Sequence, residues 1–254
     1  MKRPNPVKTF LIELGDLFYF IGRFFRELMS RPFEFKELLR QAYIMGNRSI
    51  VLVGVTGFIL GLVFTLQSRP TLAEFGAQSW MPSMVSISII REIGPVIIAL
   101  VAAGKISSGI GAEIGSMRVT EQIDAMEVSG TNPFKYLVVT RIMATTLMVP
   151  LLIIFGDAVA LIGSALVEYI KGNVSFQLYF NQAFIALSFS DIIPATIKSF
   201  FFGFAIGLVG SFKGYNCKNG TVGVGEASNS AVVFTSLLLF LIDFIAVFLT
   251  DIFT

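Results

Sequence analysis

The residues with most chemistry to offer in this 254-residue sequence are charged side chains set inside apolar runs. Arg91 and Glu92 interrupt one run, Lys198 and Asp243 sit in two others, and a fourth carries Arg141 near its start and Asp157 late. In hydrocarbon each such charge costs at least ~2.5–3.5 kcal/mol unless it is paired or hydrated. Arg91 and Glu92 point about 100° apart on a helix, so neither fully satisfies the other and each wants a partner from another helix. Arg91 lies ten residues into its run and Lys198 six residues into a run of the same direction, which places them at comparable depth. The expected pairs are Glu92 with Lys198, and Arg91 with Asp243 or with the anionic group of a ligand. A buried polar lock that only holds helices together would use the same residues.

Bond-making chemistry finds little support. The sequence has no His, the commonest general base and metal ligand, and its single Cys217 builds neither an intrachain disulfide nor a thiolate metal site. No catalytic and no metal-binding residues are expected. Gly104-Lys105 is followed by Ile106 and lacks the Gly five positions earlier that a Walker A loop needs. H-E-x-x-H, G-x-S-x-G and C-x-x-C are absent. The Gly-rich stretch GTVGVGEAS at 220–228 lacks a phosphate-binding Lys and reads as a flexible connection. If this chain moves anything with ATP, another chain hydrolyses it.

The elements that position the charges are membrane spans. The chain is 54% hydrophobic and only 14% charged, against about a quarter charged in an ordinary soluble domain. A spanning helix needs about 20 mostly apolar residues. Such runs occupy about 49–68, 81–104, 137–167, 192–212 and 231–250. The fold expected is an all-α integral membrane protein with five transmembrane helices over 49–254. Residues 176–189 are apolar only in part and read as a re-entrant or surface segment. Pro95 predicts a kink just after Arg91-Glu92. With the N-terminus in the cytoplasm, fourteen of the nineteen Lys and Arg lie in cytoplasmic segments and two, Arg69 and Lys171, lie outside. That bias sets a cytoplasmic N-terminus and a periplasmic C-terminus. No cleaved signal peptide is evident, because the first long apolar run begins only at 49.

Residues 1–48 form a separate N-terminal segment. Phe10, Leu11, Leu14, Leu17, Phe18, Ile21, Phe24, Phe25 and Leu28 recur every three to four residues, with Glu13, Asp16, Arg23 and Glu27 opposite. This is an amphipathic helix ended by Pro32, and Lys2, Arg3, Lys8, Arg26 and Arg31 suit an anionic lipid surface. The helix could lie on the membrane or pack on the protein's own flank. Between spans two and three, about 111–130, Val119, Ile123 and Met126 share one helical face while Glu121, Asp124 and Glu127 are acidic. Gly130 and Pro133 stop the pattern. A surface connector and a rod docking into a soluble partner both fit. Gly57-x-x-x-Gly61, Gly111-x-x-x-Gly115 and Gly203-x-x-x-Gly207 permit close helix packing, within or between subunits.

Residues 88–144, SIIREIGPVIIALVAAGKISSGIGAEIGSMRVTEQIDAMEVSGTNPFKYLVVTRIMA, resemble the core of the MlaE family. These are permeases of ABC-type complexes that move phospholipids between the two membranes of Gram-negative bacteria. The resemblance runs from the N-terminal helix to Asp243. It implies an inner-membrane homodimer with one soluble ATPase per subunit, which binds the ATP and magnesium. It also implies a periplasmic ring of MCE-domain lipid-binding proteins and, in many members, a STAS-domain protein on the ATPase. By the same resemblance Arg118, Glu121, Gln122, Asp124 and Glu127 belong to a coupling helix that enters the ATPase. Phe64, Leu72 and Phe75 fall where a lipid cavity at the dimer interface is lined, with Arg91 a further lipid-contact candidate. Arg91, Glu92 and Lys198 match the intramembrane charged cluster. One departure stands before the last span, where a Thr-Thr-basic pattern is replaced by Ala227-Ser228-Asn229-Ser230 after Glu226. No role for a basic residue there carries over.

Phospholipid would need a greasy cleft between subunits, since two acyl chains present more apolar area than a wet channel tolerates. Two rival readings use the same residues. An ion-coupled secondary transporter would relay protons through Glu92, Asp157 or Asp243. A structural anchor for a soluble complex would leave the charges as locks.

Overall fold

Five long apolar helices account for most of the chain in the computed structural model, which describes residues 6–218 and 220–253. All are long and apolar enough to cross a membrane, and together with their connectors they make an all-α integral membrane protein. They are Phe35–Glu74, Gln78–Val119, Phe134–Gly172, Phe189–Tyr215 and Gly220–Phe253, spans one to five. Span one is 40 residues long, about 60 Å at 1.5 Å per residue and twice the hydrocarbon thickness. Its polar first turns therefore continue outside the apolar run, and the helix begins at Phe35 rather than near 49. It also runs past Ser68 and through Pro70 to Glu74, where a loop was expected.

Span two is made irregular by its own sequence. Pro95 has no N–H to give, and Gly94 donates to the carbonyl of Ile89, five residues back, so the helix widens into a π turn over Ile89–Ile93. A second π turn covers Ala103–Ser107. The rod then continues to Val119, so residues 105–110, expected to be loop, are helix, and Val119 belongs to the rod rather than to one short helix with Ile123 and Met126. Glu121 adopts a left-handed conformation at φ 58° and breaks it from the short helix Gln122–Val128, which Gly130 closes at φ 81°.

Small residues fix the packing inside the subunit. Gly57 and Gly61 lie against the backbone of Gly156 and Ala160, so that a methyl on Gly61 would overlap the Ala160 carbonyl oxygen. Gly203 and Gly207 meet Thr145 and Ile142 in the same way. Gly111 and Gly115 receive Ala227, Ala231 and Cys217. This last contact corrects the reading of 220–228 as a flexible loop: it is the first two turns of span five, and its small residues let it approach span two. Polar links reinforce the frame. Thr65 bonds Ser164 at 2.6 Å, Tyr179 bonds the same Ser164 at 2.6 Å, and Arg69 pairs with buried Glu168 at 2.7 Å.

The N-terminal helix Pro6–Leu28 uses one row for the protein. Phe20 and Phe24 are buried against Phe134, Ile142, Leu208 and Phe212, with Leu17, Ile21 and Leu28 beside them. Leu11, Leu14, Phe18 and Phe25 stay exposed. Phe20 was absent from the sequence pattern. Lys2 and Arg3 lie outside the described residues, as do the side chains of Lys8 and Phe10. Helix Phe176–Ala186, 11 residues and about 16 Å, is too short to span and packs through Tyr179 and Ala183 on Ala165.

Candidate functional site

The π turn of span two sets Glu92 facing span four, where Lys198 lies in the middle of an uncharged stretch. The Lys198 ammonium donates to Glu92 Oε2 at 2.6 Å and to Asp243 Oδ1 of span five at 2.9 Å. Lys198 is buried, and the carboxylates are only partly so. One cation thus clamps three spans. The expected Glu92–Lys198 pair is present. The expected Arg91–Asp243 pair is not, because Asp243 turns to Lys198 and Arg91 faces Asp191 at 3.8 Å. Asp191 also accepts from the Ser188 amide at 3.1 Å and hydroxyl at 2.6 Å, closing the first turn of span four. With one ion pair among the described residues, longer than a hydrogen bond, the Arg91 guanidinium keeps donors for an anionic group.

An apolar groove of about 670 Å³ opens between spans four and five, lined by Phe189, Ile193, Ile197, Phe201, Ile245 and Leu249, with Lys198 on its wall. A small polar slit beside it holds Arg91, Glu92, Ser190, Asp191 and Lys198. A second apolar groove, about 410 Å³, lies between spans three and four and the helix Phe176–Ala186. Asp157 is on its wall, buried, with Oδ1 lacking a hydrogen-bond partner and packed against Gly94. No group of three or more metal-ligating acids, His or Cys occurs among the described residues. Burial pushes the Cys217 thiol up, which disfavours the reactive thiolate.

The other sequence-level candidates separate. Phe64 and Leu72 meet around Met81, Val85, Ile89 and Leu161. Phe75 is exposed and outside that cluster, and Arg91 faces span four instead. On the short helix Gln122–Val128, Ile123 is fully buried in the main core and Met126 packs beside it. Glu121, Gln122, Asp124 and Glu127 are exposed on the outer side, with Val128 among them. Arg118 bonds Asp124 at 2.7 Å across the left-handed break. One site residue escaped sequence reasoning, and a second was named without its setting. Asp191 carried a usable signal, since Ser188-x-x-Asp191 before an apolar run is a capping pattern. Asp157 was noted only as a possible proton relay, and nothing in its neighbours announces the groove.

Comparison with known proteins places these features in a family. Residues 38–249 match the family described as Permease MlaE. The chain is 35% identical to a probable ABC transporter permease protein of Rickettsia typhi, over 90% of this chain and 88% of the relative. It is 32% identical to a probable ABC transporter permease protein of Synechocystis, covering 89% and 86%. It is 31% identical to the intermembrane phospholipid transport system permease protein MlaE of Haemophilus influenzae, covering 94% and 96%.

Proposed function

The chain belongs to the MlaE family of ABC transporter permeases, and from that premise we propose that it is the membrane subunit of an ATP-driven complex moving phospholipid between inner and outer membranes. The observation that carries the proposal is the clamp beside the apolar groove. A buried ammonium joins carboxylates from two other spans, and next to it Arg91 offers donors suited to a lipid phosphate. The groove wall of Phe and Ile suits acyl chains, and in a homodimer two such walls would close a cleft.

This chain breaks no covalent bond. ATP and magnesium belong to a partner ATPase, which the acidic outer side of Gln122–Val128 would dock. Ile123 anchors that helix in the core at the end of the same rod that carries Glu92. The rod runs 27 residues from Glu92 to its end at Val119, about 40 Å. A push on the docked helix is therefore delivered to the clamp, where the π turn supplies a compliant point. The working location is the bacterial inner membrane with the N-terminus in the cytoplasm, and MCE-domain and STAS-domain proteins complete the complex.

Native mass spectrometry of the gently extracted complex tests this. A two-fold assembly containing an ATPase and phospholipid-mass adducts is expected. A lone chain without ATPase or lipid, in micelles and in nanodiscs alike, would overturn it in favour of the ion-coupled transporter.

A further inference from the structure

A cavity of about 380 Å³ lies between the start of span one's apolar run and the second π turn of span two. It is remote from the clamp, since Lys105 follows Glu92 by 13 residues, about 20 Å along the rod. Arg48 and Lys105 are on its wall, both exposed, and neither has an ion-pair partner among the described residues. The acid on the wall, Glu113, is held by the buried Arg141 guanidinium at 2.7 Å, so the cavity carries net positive charge. Ser49 also lines it, and its buried hydroxyl has no hydrogen-bond partner. That is an unused donor at a site where two cations converge.

The two cations mark a boundary. Arg48 immediately precedes the uncharged run of span one, and Lys105 immediately follows the apolar run of span two. Whichever way the chain is oriented, this is the depth of a headgroup layer. The lipid-facing turns beyond Arg48 expose Val51 and Val55, where acyl chains would lie.

We propose that this cavity binds the phosphodiester of an anionic phospholipid from the leaflet at that end of the bundle, with Arg48 and Lys105 gripping the phosphate and Ser49 donating to it. The site is separate from the cleft proposed above and does not depend on it. A free phosphate group has the same chemistry, so the test must tell the two sources apart.

The experiment places a photo-crosslinking amino acid at position 44, on this cavity's wall, or at position 201, on the groove between spans four and five. The full chain is held in phosphate-free maltoside micelles with limiting radiolabelled phosphatidylglycerol. Labelling at 44 is expected to fall about tenfold or more in R48A/K105A, since each basic contact contributes severalfold to binding of an anionic headgroup. It should persist in R48K/K105R, while labelling at 201 stays unchanged in both. Diacylglycerol and inorganic phosphate in large excess are expected not to compete. Undiminished labelling at 44 in R48A/K105A overturns the site. Competition by inorganic phosphate, or crosslinking of 44 to protein alone, overturns a lipid as its occupant. Loss of labelling only at 201 strikes the cleft and leaves this site intact.

Discussion

Replacing Lys198 by Met removes the ammonium that Glu92 and Asp243 share. Their accepting oxygens lie 2.6 and 2.9 Å from Nζ, so they are at most about 5.5 Å apart. At an effective dielectric near 20, two unit charges at about 5.5 Å repel by about 3 kcal/mol. For a chain of this size about 2–4 °C of melting temperature accompanies each kcal/mol, so Lys198→Met should melt about 6–12 °C below the parent. Thermal unfolding of the full chain in micelles, followed by circular dichroism, reads this directly. The triple variant Lys198→Met, Glu92→Gln, Asp243→Asn removes the repulsion with the ammonium and should recover most of the loss, as neutral replacements of buried ion pairs commonly do. A Lys198→Met protein melting like the parent would refute the clamp, as would a triple variant no more stable than the single one. Lipid transfer by the reconstituted complex then separates lock from pathway. A stable triple variant that transfers lipid at the parent rate would reduce the cluster to a lock.

Gly61→Ala forces a methyl into the Ala160 carbonyl and should cost about 1–3 kcal/mol, whereas Gly15→Ala, with nothing within 4 Å, should be neutral or stabilising; paired melts check both. Arg69→Leu strands buried Glu168 and should destabilise by about 3–5 kcal/mol, an effect that Arg69→Leu with Glu168→Gln should largely reverse in the same melt. Glu121→Lys with Asp124→Lys inverts the exposed side of the short helix and removes the Arg118 bridge; membrane insertion should survive while ATPase co-purification and stimulated hydrolysis fall, and full retention of both would remove this helix as the docking element.

What could be read in advance divides along physical lines. Spans were legible because 20 consecutive apolar residues have few other fates, and Glu92 with Lys198 was legible because depth follows from counting residues at a known rise. The choice of Asp243 between Lys198 and Arg91 depends instead on the rotation of span five about its axis. A shift of one residue moves a side chain by about 100°, and packing rather than hydropathy sets it. Helix ends failed for a related reason. Residues 105–119 and 220–230 are polar or glycine-rich, which lowers helix propensity. Their contacts reverse that preference, because Gly111 of the first segment accepts Ala227 and Ser228 of the second, with Ala231 just beyond and Cys217 against Gly115. The left-handed Glu121 that separates rod from docking helix had no sequence signal, since neither Gly nor Asn occupies the position.

The arrangement of span two argues that its irregularities are connected. One helix carries Glu92 in its first π turn, Lys105 in its second, and the short helix Gln122–Val128 beyond its far end. A straight α-helix would carry a push equally to every contact along it. Here the backbone is widened where it meets the clamp and again where it meets the cavity holding Arg48. The second turn and the segment beyond it are gripped by close backbone contacts with span four, Ser107 with Gly210 and Gly111 with Gly214. With the second turn held against span four, the first π turn, at the clamp, is where span two would yield to a push on its docked end.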